Sequence, residues 1–155
     1  MTALEFEKRA NFLHCLGAVD GKHIRVIKPE HSGSMFCNYK DFFSVVLMAV
    51  LDTNYRFVYF DTGSYGKDSD STVFRRSRLW ISVQTNMLEL PNERPLSATE
   101  GPNVRHVFVE DEGFALNRNI LRPFGGSNLS VKKRVQLPLV QSTKLCGMCF
   151  WNFEQ

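Results

Sequence analysis

Three apolar runs occupy the first half of the chain, and each ends in polar, turn-forming residues. They are CLGAVDGKHIRVIKP (residues 15–29), DFFSVVLMAVLD (41–52) and YRFVYFDTGS (55–64). All three are rich in β-branched and aromatic residues, which predicts three strands. The polar stretch EHSGSMFCNYK separates the first two, whereas only Thr53 and Asn54 separate the second from the third. So short a break predicts an antiparallel hairpin. Next comes SDSTVFRRSRLWISVQTN (69–86), with Ser69 or Asp70 as N-cap and Val73, Phe74, Ser77, Leu79, Trp80 and Ile81 in a mostly helical rhythm. This segment predicts a helix. A loop rich in Pro, Asn, Glu and Ser (89–103) leads to RHVFVED (105–111), a fourth strand, and then to FALNRNILRPF (114–124), a short helix stopped by Pro123,.

A three-strand meander, a helix and a further strand make an α/β pattern in which the fourth strand can lie parallel to the first. Asp20 then stands within the first strand and Asp111 at the C-terminal end of the fourth. Neighbouring strand ends in such a sheet share an edge, the usual place for a ligand. Two carboxylates there repel one another unless a cation lies between them. Hard oxygen donors suit Mg2+ or Mn2+. The same two residues also have an ordinary reading, Asp20 capping a turn before Gly21 and Asp111 ending a strand, and pattern alone leaves both open.

Size and composition narrow the picture. At 155 residues, 43% of them hydrophobic, the chain supports one core and not two,. A formal charge of +3 is too small to dictate a nucleic-acid partner, although Arg75, Arg76 and Arg78, and separately Lys132, Lys133 and Arg134, concentrate positive charge,. Four cysteines (Cys15, Cys37, Cys146, Cys149) without a secretory leader predict free thiols in a reducing compartment,. No apolar run approaches the roughly 20 residues of a membrane-spanning helix, so no membrane partner is expected.

The blocks DGKH, SGS…NYK, GSYG…SD…VF and DE-aromatic…RP, in that order between about Phe6 and Lys133, resemble the PIF/Harbinger transposase-derived nucleases. The DDE domain of that family has the ribonuclease H-like fold. The resemblance implies a mixed sheet, an antiparallel three-strand meander plus a parallel fourth strand with flanking helices, spanning residues 1–134 as a partial nuclease domain. It implies DNA as partner, nuclear residence, and phosphodiester hydrolysis or strand transfer with Mg2+ or Mn2+. Asp20 and Asp111 become catalytic metal ligands and Asp70 a further acidic ligand. Asp68 competes for that last role, and Asp70 has a second reading as a helix N-cap. His23, three residues after Asp20, falls on the opposite face of a strand and reads as a structural histidine.

Where the family carries a glutamate on a helix after the RP block, residues 135–155 read VQLPLVQSTKLCGMCFWNFEQ. A set of codons that spells this tail from Gln136 onward, read one nucleotide later, spells NYRLSRARSYVECAFGILS, which resembles the missing block. Met148 before Cys149 forces the cysteine of that reading, and Trp151 before Asn152 forces its glycine. Its glutamate falls at Gly147–Met148, 147 − 111 = 36 positions after Asp111. The tail is therefore expected to be a frameshift product, and the chain to be an inactive or degenerate relative without the family's N-terminal DNA-binding region. Three other readings of Cys146 and Cys149 stay open: half of a zinc site, a redox CxxC, or part of a plain aromatic tail.

Overall fold

The computed structural model describes residues 2–96, 100–111, 113–114 and 117–122. Everything expected of Pro123, of the basic run 132–134 and of the tail 135–155 lies outside those residues. The elements in chain order are α1 (Thr2–Ala10), β1 (Cys15–Arg25), β2 (Ser44–Leu51), β3 (Phe57–Tyr65), α2 (Asp70–Arg76), α3 (Arg78–Gln84), β4 (Val107–Val109) and β5 (Ile120–Leu121). They form a mixed α/β structure with one five-stranded sheet in the order β3-β2-β1-β4-β5. This arrangement is consistent with the ribonuclease H-like fold. The Val26 amide donates to the Phe43 carbonyl at 2.9 Å, so the end of β1 meets the start of β2 and the two run antiparallel. By contrast, β1 pairs with β4 in parallel, as expected of the fourth strand.

The chain divides into two compact units. The first takes Met1–Asp20, Val50–Val58 and Leu90–Gln155. Its core gathers Phe6, Ala10 and Phe12 with Cys15, Val107 and Val109. Helix α1 ends where Asn11 turns left-handed (φ 50°) and the Phe12 amide returns to the Phe6 carbonyl at 3.2 Å. Asparagine tolerates that conformation better than other residues with a Cβ. A Cβ on Gly17 would overlap the side chain of Val50, so only glycine lets that side chain lie so close to β1. A polar cluster also lies inside this unit. His14 donates from Nδ1 to the Val104 carbonyl (3.1 Å) and accepts at Nε2 from Arg94 Nε (3.3 Å), partners that fix its tautomer,. Its ring stacks on His106 at 4.5 Å, and both histidines are buried. Burial first, and then the electrostatic influence of the adjacent His14 ring and Arg94 guanidinium, hold His106 below the usual histidine range, against an opposing hydrogen bond to Pro91.

The second unit takes Gly21–Ala49 and Tyr59–Glu89. Val73, Phe74, Trp80 and Val83 are its buried helical residues, and Phe74 packs on Trp80 at 5.3 Å. The single helix expected over 69–86 is two short helices. Ser77 has an extended backbone (φ −65°, ψ 149°), closes α2, and caps α3 by accepting from the Trp80 amide at 3.2 Å. A serine that can cap competes with continuing the helix through it.

Two other expectations are corrected. The hairpin connection is five residues and not two. Asp52 accepts from the amides of Asn54 (2.7 Å) and Arg56 (3.0 Å), building a turn wider than residues 53–54. The helix expected over 114–124 is also replaced among the described residues. Asn117–Asn119 form a turn, and Ile120–Leu121 become β5, parallel to β4 with Phe108 level with Ile120. Burying Ile120 on an open sheet edge satisfies its backbone and side chain together, which a short helix interrupted by asparagines does not,.

Candidate metal centre

Within the first unit, β1 and β4 are in register at Cys15–Val107, Gly17–Phe108 and Ala18–Val109. Asp20 stands two residues beyond Ala18 and Asp111 two beyond Val109. The pairing stops at Ala18–Val109, where β4 ends, and each aspartate lies two residues past that last pair on its own chain segment. Asp20 is half-buried and Asp111 exposed. The Gly113 amide donates to Asp111 Oδ1 at 2.8 Å, an Asx turn that holds the carboxyl at the strand's end,.

Glu110, which pattern reading passed over, points to the face opposite Asp111 by strand alternation. It is wholly buried, and neither carboxyl oxygen has a hydrogen-bond partner among the described residues. Burial first, and the neighbouring charge of Asp111 second, push its pKa up to about 8. The signal was present in RHVFVED, where consecutive acids on a strand must face opposite ways.

Asp70 belongs to the second unit. Its reading as N-cap is corrected: Ser69 is the cap, accepting from the Thr72 amide at 3.3 Å, and Asp70 is the first helical residue. A Cβ on Gly21 would overlap the Asp70 carboxyl, so the glycine that follows Asp20 in the chain is what admits that carboxyl against β1. Asp68 is committed elsewhere, 3.6 Å from Arg76, with its amide donating to the Tyr65 carbonyl at 2.9 Å. His23 Nδ1 lies 3.0 Å from Ser44 Oγ, in keeping with a structural histidine. Of the cysteines, Cys15 and Cys37 are free thiols. Burial pushes the Cys15 thiol up to about 12 despite its contact with the Gly17 carbonyl, which leaves it inert at neutral pH,.

Among the described residues, no three His, Cys, Asp or Glu side chains gather closely enough to hold a metal ion. Carboxylates such as those of Asp20 and Asp111 are the donor type that Mg2+ takes, one or two at a time, with water and substrate phosphate completing its shell. No helix among the described residues is long and apolar enough to cross a membrane.

A five-stranded mixed sheet in this order is consistent with the ribonuclease H-like fold, and comparison with known proteins supplies the family. Residues 19–144 match the DDE superfamily endonuclease family, and the chain belongs to that family. It is also similar to Protein ALP1-like of Arabidopsis thaliana, 31% identical over 129 residues, which cover 82% of this chain and 31% of the relative. The chain thus spans about a third of that relative's length. No solved structure matches it. Together, the family match and the relative support a transposase-derived nuclease ancestry. Members of the superfamily normally use divalent metal ions.

Proposed function

We propose that this chain is a PIF/Harbinger-type, divalent-metal-dependent DNA nuclease domain in which Asp20 and Asp111 hold Mg2+ or Mn2+ and Asp70 contributes a further carboxylate. The observation that carries the reading is the β1–β4 register, which runs toward both aspartates in step. Asp70 is assigned by resemblance, and the room that Gly21 leaves for its carboxyl supports it over Asp68. A bound divalent ion would supply an activated water or 3′-hydroxyl and stabilise the leaving oxygen. The protein's part is to hold the carboxylates ionised. DNA as substrate and the nucleus as residence follow from the same family reading.

Residues 135–155 stand where the family's glutamate helix belongs, and their single glutamate is Glu154. We propose that they are a frameshift product and that this chain binds metal without cleaving DNA. Calorimetric titration with Mn2+ tests the site. The parent chain binds, Asp20→Asn and Asp111→Asn weaken binding roughly tenfold or more, and Asp70→Asn weakens it less. Unaltered affinity in both of the first two variants would overturn the assignment. Restoring the frame through YVECAFGIL is expected to bring Mn2+-dependent nicking of supercoiled DNA. Nicking by the present chain that disappears in Asp20→Asn would show that the tail does not abolish activity.

A further inference from the structure

We infer that the ribbon formed by residues 23–28 and 39–43 is a docking surface for single-stranded DNA. It lies wholly within the second unit. The inference goes beyond the metal reading and does not rest on it. Along this ribbon cations and aromatic rings alternate. The Arg25 guanidinium lies 4.3 Å from the centre of the Phe42 ring, Lys28 Nζ 5.3 Å from that of Phe43, and Lys40 Nζ 5.4 Å from that of Tyr39. His23 meets Tyr39 edge-on at 5.8 Å. All three contacts fall within 43 − 25 + 1 = 19 residues and lie inside the roughly 6 Å reach of a cation–π interaction,. Among the described residues, none of Arg25, Lys28 and Lys40 makes an ion pair. Residues 22–41 contain four Lys or Arg against Glu30 and Asp41, 4 − 2 = +2.

The surface is also built in advance. The buried Asn38 accepts through Oδ1 from the amides of Lys40 (2.9 Å) and Phe42 (3.3 Å), and Asp41 takes a left-handed φ of 57° to complete the turn. The Val26–Phe43 hydrogen bond ties that turn to the end of β1. Tyr39, 78% exposed, is thus presented on a turn whose backbone is already hydrogen-bonded, so a ligand need order only its side chain,. A row of cations tracks phosphates, and an exposed ring stacks on a base. Duplex DNA keeps its base faces stacked inside and would use only the charges. The rings therefore favour an unpaired strand.

The test is fluorescence anisotropy on the full chain in EDTA, where metal-dependent chemistry is silent. The probes are labelled oligo-dT, a duplex of equal length and oligo-U. Oligo-dT is expected to bind roughly tenfold more tightly than the duplex. Tyr39→Ala should weaken oligo-dT about tenfold and leave the duplex unchanged, whereas Tyr39→Phe retains binding. Lys28→Ala and Lys40→Ala should each flatten the salt dependence on single strands by about 0.7 in logarithmic slope, and Lys8→Ala, on α1, should not. Circular dichroism confirms that each variant is folded. Equal affinity for duplex, an unaffected Tyr39→Ala, or tighter binding of oligo-U than of oligo-dT would each overturn the inference. Loss of Mn2+ affinity in Asp20→Asn with this binding intact would separate the two sites.

Discussion

Strands β3 and β4 are made of similar residues and end in opposite environments. In β4, Val107, Phe108 and Val109 are all buried between β1 and β5. In β3, an edge strand opening on Phe-Val-Tyr-Phe, Val58 is 55% and Phe60 63% exposed. Hydrophobicity sets what a residue gains if buried, but place in the sheet decides whether that gain is collected. The carboxylates beside these strands differ in the same way. Asp52, before β3, accepts from two backbone amides and from Arg56 Nε at 3.0 Å. Those bonds outweigh its burial and hold its pKa below the ordinary value of 3.8. Glu110, after β4, has only burial and a like charge, and its pKa moves the other way.

The largest test of this contrast compares truncations on the two strands. Phe108→Ala should lower the unfolding free energy by about 3–5 kcal/mol, and Val58→Ala by less than about 1 kcal/mol, both read by urea denaturation. Equal losses would mean that β3 is covered in solution. A second test addresses β1. Gly21→Ala should cost about 1–3 kcal/mol by crowding the Asp70 carboxyl, and much of the loss should return in the double variant with Asp70→Ala. Additive losses would show that the two residues do not press on each other.

The carboxylates sharpen the comparison with smaller effects of opposite sign. The folded state holds the Glu110 proton more tightly than the unfolded chain does, so stability falls as pH rises from the ordinary value of 4.5 to about 8,. Glu110→Gln should remove that slope, raising the melting temperature by an amount that grows across the window and levels off above it. Asp52→Asn should do the reverse. The stability from a lowered carboxylate is present above its ordinary value of 3.8 and is lost as pH falls through the folded-state value,. The melting temperature of Asp52→Asn should therefore lie below the parent's at neutral pH and converge with it in strong acid. Parallel pH profiles for the two variants would refute the contrast.

The candidate site divides along the same line between what a local pattern shows and what it hides. Motif order and strand rhythm single out Asp20 within β1 and Asp111 past β4, and the parallel pairing of β1 with β4, which the crossover predicts, is what the structure has. Glu110 was passed over because next to Asp111 it looks like a second exposed acid, although strand alternation puts the two on opposite faces. The role of Gly21 was hidden, because nothing near it in sequence shows that Asp70, 49 positions on (70 − 21), presses against its backbone.

By itself the amino-acid sequence determined the apolar runs that become β1 to β4, a helix start at Ser69 or Asp70, and membership of the nuclease family. These depend on short-range periodicity, capping chemistry and motif order, which are local properties of a chain. Only the tertiary structure decided that β3 would be an edge, that Ile120 and Leu121 would join the sheet instead of a helix, and that His14 would stack on His106. In each case the deciding energy comes from partners far away in sequence, Phe108 and Val109 for β5 and Arg94 and Val104 for His14. A segment whose local preferences are nearly balanced takes the conformation in which distant partners satisfy its backbone and cover its side chains.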